Sequence, residues 1–169
     1  MSRARGSLVI IGLCIAALAG AVRVSLAAPA RVVSLSRSVC FGMCPVYEVT
    51  LYDDGTLEYE GKEYVKSIGH KTTTIDRAAI AKVKQAIANS GIQKLGTHCC
   101  DCMEMTDHPS AVIGFDADGT WKTIRDYHGC TKTPGTVREL EETLDKLLGT
   151  VTFVGTQEER QKAWSRRPR

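Results

Sequence analysis

The chain has 169 residues, 43% of them hydrophobic, a formal net charge of +3 and seven cysteines. The basic surplus lies in the first 27 residues, which hold three of the 22 basic residues (Arg3, Arg5 and Arg23) and none of the 19 acidic ones. The formally neutral remainder suits one domain with a single core and has no general electrostatic reason to bind nucleic acid.

Residues 1–27 read as a cleavable secretion signal. Arg3 and Arg5 precede an apolar run from Leu8 to Val22, and small residues follow at Ser25, Ala27 and Ala28. That is the charged, apolar, small-residue layout of a signal peptide. Cleavage after Ala27 is expected, because Ser25 and Ala27 then occupy the two small-residue positions. The run is too short for a comfortable membrane span, which takes about 20 apolar residues. Cys14 lies in the middle of the run, which excludes a lipoprotein signal. The remaining cysteines are Cys40, Cys44, Cys99, Cys100, Cys102 and Cys130. An even number in an exported chain points to disulfides and to a periplasmic or secreted location.

A single domain is expected over residues 28–155, with a charged, flexible tail at 156–169. Arg31 to Arg37 reads as a strand, followed by the tight loop C-F-G-M-C-P at 40–45. Val46 to Asp53 is a second strand, with Tyr47, Val49 and Leu51 on one face. Asp53-Asp54-Gly55-Thr56 signals a hairpin, because Asp-Gly supplies positive φ. Leu57 and Tyr59 lie on the returning strand, and an extended piece runs through Tyr64, Val65 and Ile68. Asp76 is a good N-cap for a helix from Arg77 to Ser90, which Gly91 closes. A long loop spans Gln93 to Ser110. A second hairpin turns at Asp118-Gly119. Thr136 and Glu139 match a capping box ahead of an apolar helix face of Val137, Leu140, Leu144, Leu147 and Leu148. Thr152 to Val154 reads as a short strand. The fold class is therefore α+β: an antiparallel sheet of two hairpins with two amphipathic helices on one face, in the pattern of a duplicated hairpin-helix unit.

Three constellations hold reactive residue types. Cys40 and Cys44 have C-x-x-x-C spacing. Thiol-disulfide enzymes place C-x-x-C at a helix N-terminus, where the dipole stabilises a thiolate. Here Pro45 and a strand follow, so a staple is favoured over a redox pair. The second is H-C-C-D-C-M-E-M-T-D-H. His98, Cys99, Cys100, Cys102, Met103, Met105 and His108 form a soft ligand set for copper or zinc. The competing reading is that these cysteines are oxidised, which removes thiolate ligands. The third is D-Y-H-G-C, where Asp126 and His128 share a strand face beside Cys130. A bonded sulfur cannot attack, so a polar strand end with a staple is favoured over a nucleophile set. The expected disulfides are Cys40–Cys44 and a link from the 99–102 loop to Cys130 through Cys102.

The stretch V-S-L-S-R-S-V-C-F-G-M-C-P-V-Y-E-V-T-L-Y-D-D-G-T-L-E-Y-E-G, with T-D-H-P-S and D-Y-H-G-C later, resembles the bacterial domain of unknown function 6438 family. The resemblance runs from about Val32 to Val154. It implies a small exported or envelope-associated domain without an assigned activity. The sequence contains no complete catalytic motif. The expected function is a non-catalytic, disulfide-stapled binding or structural module with an envelope protein partner. A copper- or zinc-binding protein is the second expectation and a thiol-disulfide protein the third.

Overall fold

The computed structural model describes residues 27–98, 102, 103, 105 and 107–165. Residues 1–26 of the expected secretion signal therefore lie outside the described residues, as do Cys99 and Cys100. Six strands, β1 (Arg31–Arg37), β2 (Val46–Tyr52), β3 (Thr56–Glu63), β4 (Gly69–Thr74), β5 (Ser110–Ala117) and β6 (Thr120–Tyr127), form one sheet in the order β4-β3-β2-β1-β5-β6. Every pairing is antiparallel. Helices α1 (Arg77–Ser90) and α2 (Gly135–Leu147) pack against each other. This is the expected α+β class. The two halves are unequal: four strands precede α1, and two stand between α1 and α2.

The core lies between the helices and one face of the sheet. Val33 and Leu35 of β1, Val49 and Leu51 of β2, Leu57 and Tyr59 of β3, and Ile113 and Phe115 of β5 are buried there. Ile80, Val83 and Ile87 of α1 and Leu140 and Leu144 of α2 cover them. Burying each such side chain contributes about 1.5–3 kcal/mol. The alternate residues Ser34, Ser36, Glu48, Thr50, Glu58 and Glu60 are partly or fully exposed. Period-two patterning thus sets the register, since a slip by one residue would bury the glutamates.

The two hairpin glycines behave as expected. Gly55 and Gly119 have φ of 93° and 82°. They differ in surroundings: a Cβ on Gly55 would stand 2.6 Å from the Ile75 carbonyl oxygen, whereas one on Gly119 meets open space. Helix α1 is capped as read, with Asp76 accepting from the Ala79 N–H at 2.7 Å and Gly91 left-handed at φ 72°.

Three local expectations are corrected. The extended piece after β3 lies further along, at β4, whose G-H-K-T-T-T sequence carries no alternation and is fixed by pairing with β3. Helix α2 begins at Gly135 with Pro134 as N-cap and no side-chain cap bond. Thr136 therefore sits inside the first turn, where its hydroxyl cannot cap. A reciprocal capping box forms instead at the tail. Thr156 donates its N–H to Glu159 Oε2 at 2.9 Å, and Glu159 donates its N–H to Thr156 Oγ1 at 3.2 Å. It opens helix α4 (Gln157–Ser165) within the charged tail. Finally, residues 151–154 form a short helix, α3 (Val151–Val154), rather than a strand. The carbonyls of Phe153 and Val154 accept from the N–H groups of Ser67 and Lys66, both at 2.9 Å. Phe153 also stacks on Tyr59, with ring centroids 4.8 Å apart. Tertiary packing overrides strand propensity there.

Candidate functional site

Two regions meet at the end of the sheet where β1 and β6 finish. The first is a pair of stapled loops. Cys40 and Cys44 form a disulfide, and so do Cys102 and Cys130, each with Cα atoms 5.8 Å apart. Both expected pairings are present. Backbone bonds hold the loops together: Phe41 N–H donates to the Asp107 carbonyl at 3.2 Å, and Ser38 N–H to the Ser110 carbonyl at 2.9 Å. His128 N–H reaches the Pro109 carbonyl at 2.9 Å, which ties the loop to the end of β6. Gly42 completes the tight turn at φ 148°.

The loops present apolar side chains to solvent. Phe41 is 89% exposed and Met103 84%, with Met105, Val39 and Met43 also exposed. Neither Ser38 to Pro45 nor Cys99 to Ser110 holds a lysine or arginine, and the second stretch holds Asp101, Glu104 and Asp107.

The structure describes five members of the soft ligand set of this loop: His98, Cys102, Met103, Met105 and His108. The Cys102 sulfur is bonded to Cys130 and is not a thiolate. His98 is exposed and bridges to Arg125 beside β6. His108 is exposed and meets the Tyr127 ring edge-on at 6.1 Å. Met103 and Met105 point outward. Among the described residues, the histidines, cysteines and acids of this loop form no group within ligand reach of one another.

The second region is a buried ionic cluster under the loops, built from β1, β2, β6 and α2. Arg37 ends β1 on the face of Val33 and Leu35, and its guanidinium points at α2. It donates to Glu141 Oε2 at 3.1 Å and to Asp145 Oδ2 at 2.7 Å. Tyr47 of β2 donates its hydroxyl to Asp145 Oδ1 and accepts from Arg37 Nε at 3.0 Å. Thr150 donates to Asp145 Oδ1 at 2.7 Å. Asp126 of β6 and Glu141 are each only 1% exposed. Thr133 donates to Asp126 Oδ1 at 2.6 Å, and Arg138 Nε to Asp126 Oδ2 at 3.3 Å. Arg138 also grips the carbonyls of His128 and Cys130 at 3.2 and 2.8 Å. His128 Nε2 stands 2.8 Å from Glu141 Oε2 and 3.8 Å from Asp126 Oδ2. The Asp126–His128 pair is thus beyond hydrogen-bond distance, and the closer partner of the imidazole is Glu141.

Burial and charge shape the titration here. Burial opposes the charged form of Arg37, but Tyr47, Asp145 and Glu141 around it outweigh this and push its pKa up. Burial pushes the Tyr47 hydroxyl well above the ordinary tyrosine range, with Asp145 adding to the shift and Arg37 opposing it. Tyr47 is therefore a neutral donor at physiological pH.

The sequence reading named Asp126 and His128 but not Arg37, Tyr47, Glu141 or Asp145. A signal was available for two of them. Glu141 falls in the apolar stripe of α2 with Val137, Leu140 and Leu144. Arg37 lies in phase with Val33 and Leu35. A charge on a buried face requires a partner.

The fold and staples define a disulfide-bonded α+β domain of one antiparallel sheet covered on one face by helices. The family model described as domain of unknown function (DUF6438) matches residues 31–148, and the chain belongs to that family. The match runs from β1 through the end of α2 and leaves α3 and α4 outside it. No curated protein matches the chain. No helix among the described residues is long and apolar enough to cross a membrane.

Proposed function

We propose that this chain is an exported, non-catalytic binding module of the cell envelope that engages a protein partner through its stapled loops. The carrying observation is the outward display of Phe41, Met43, Met103 and Met105 on two loops that disulfides and the Phe41–Asp107 bond hold together. Clustered exposed apolar side chains mark interaction surfaces. Aromatic and methionine anchors suit such contacts. Pre-ordering the loops lowers the entropy cost of binding. The loop sequences hold three acids, Asp101, Glu104 and Asp107, and no lysine or arginine, which disfavours anionic lipid and fits a partner whose apolar surface carries basic residues.

Export and binding are tested together. A photo-crosslinking residue is placed at Phe41 in cells, with a control at exposed Lys122 on β6. One discrete crosslinked protein at position 41, absent at 122, supports the reading. A processed, exported chain with no crosslink at 41, or the same products at both positions, overturns it. A chain retained in the cytoplasm overturns the export half.

A second reading is a soft-metal site in the same loop, favoured by the shared exposure of His98, Met103, Met105 and His108. Titration of Cu(I) against the disulfide-intact protein tests it. Affinity that falls when Met103 and Met105 are replaced by leucine supports this reading, and no saturable binding ends it.

A further inference from the structure

The buried cluster holds one group that the packing leaves unfinished. Glu141 Oε1 is buried and has no hydrogen-bond partner, although Oε2 accepts from Arg37 and faces His128. A buried carboxylate oxygen without a partner is unfavourable, because it has lost its water and gained nothing in return. Glu141 itself belongs to a set of three donor residues. One atom each from Asp126, His128 and Glu141 lie within 4.8 Å of one another.

We propose that Asp126, His128 and Glu141 form a binding site for a divalent cation of the zinc class. The donor set is one imidazole nitrogen and two carboxylates, which is chemistry that Zn(II) accepts. Donors held at Zn–N and Zn–O distances of about 2.0–2.2 Å stand roughly 3–3.5 Å apart. His128 Nε2 stands 2.8 Å from Glu141 Oε2 and 3.8 Å from Asp126 Oδ2, separations that bracket that spacing and place both carboxyl groups beside the imidazole. The supporting residues are already in place. Thr133 and Arg138 orient Asp126, and Arg37 holds Glu141 by Oε2, leaving Oε1 for the ion. Such outer contacts fix ligand geometry.

Charge points the same way. Two guanidiniums, Arg37 and Arg138, face three carboxylates, Asp126, Glu141 and Asp145. The His128 side chain is 26% exposed, so the ion has a route from solvent. This site is distinct from the soft ligand set of residues 98–108, which uses other side chains and suits a softer ion.

The test uses the full mature chain with disulfides intact and with Cys99→Ser and Cys100→Ser, so that no free thiol competes. Zn(II) is titrated calorimetrically into this protein and into versions that also carry His128→Ala, Glu141→Gln, or His98→Ala with His108→Ala. One ion per chain is expected, with affinity lowered more than about tenfold by either cluster change and unchanged by the loop pair. Co(II) substitution adds a spectrum that reports the ligand set directly. Visible bands without a sulfur charge-transfer band are expected. The proposal is overturned by no binding, by loss of binding in the loop variant, or by affinity indifferent to both His128 and Glu141.

Discussion

The stapled loop and the buried cluster lie side by side, and they divide the chemistry in opposite ways. Residues 98–108 concentrate cysteine, histidine and methionine, yet among the described residues of that stretch His98, Met103, Met105 and His108 are exposed and Cys102 is spent in a disulfide. The cluster is drawn from β1, β2, β6 and α2, positions far apart in sequence, and its groups converge within hydrogen-bond distance. Density of reactive residues along the chain is therefore a poor guide to assembly here. Burial is the better guide, because it forces charges to meet.

The largest effect should come from breaking the cluster. Replacing Arg37 with methionine keeps most of the apolar stem but leaves Glu141 and Asp145 without their shared cation. We expect a loss of roughly 3 kcal/mol or more in urea unfolding. A loss below about 1 kcal/mol would show that the cluster is solvated and does not lock α2 to β1.

The staple between the regions comes next. Cys102 and Cys130 are 28 positions apart, and closing a loop of that size constrains the unfolded chain by about 3–4 kcal/mol in the entropy model. Replacing both with serine should lower stability by an amount in that range, diminished by any structure the unfolded chain retains. Replacing Cys40 and Cys44 should cost less, since their separation is only 4.

Much of the frame was legible because local chemistry and tertiary structure agree there. Asp76 and Gly91 bracket α1, and Gly55 and Gly119 turn the hairpins. Sequence reading failed where tertiary contacts decide. Strand β4 has no apolar alternation and exists through its pairing with β3. Helix α3 is shaped by docking on Lys66 and Ser67. Of two T-x-x-E sites, Thr156–Glu159 caps a helix because Lys66 also holds Glu159 at 2.7 Å. Thr136–Glu139 does not, because Pro134 starts the helix earlier. The cluster was half legible: Asp126 and His128 share a motif, whereas Arg37 and Glu141 are marked only by a charge in an apolar stripe.

The hairpin turns separate backbone strain from crowding. Gly55→Val should destabilise more than Gly119→Val, because the first adds a clash with the Ile75 carbonyl to the positive φ that both must bear. Strain alone is on the order of 1–3 kcal/mol. Equal losses in thermal melts would remove the steric part of the account.

The cluster also predicts an alkaline limit. The folded-state pKa of Tyr47 and of Tyr59 is raised above the unfolded value, in both cases chiefly by burial. Their contribution is fully present below about pH 10, the ordinary tyrosine value, and is lost as pH rises towards the folded-state values. Tyrosinate absorbance should appear in two stages, with Tyr47 and Tyr59 ionising only as the fold opens. Tyr47→Phe should remove part of the second stage. A single unperturbed titration of all five tyrosines would contradict this.

The smallest effect sharpens the contrast most. Paired urea unfolding of Arg37→Met and of Phe41→Ser with Met103→Ser tests directly whether the cluster holds the fold while the loop serves contact. The account predicts a shift of several kcal/mol for the first and within about 0.5 kcal/mol of the parent for the second. A loop variant that unfolds as readily as the cluster variant would contradict it.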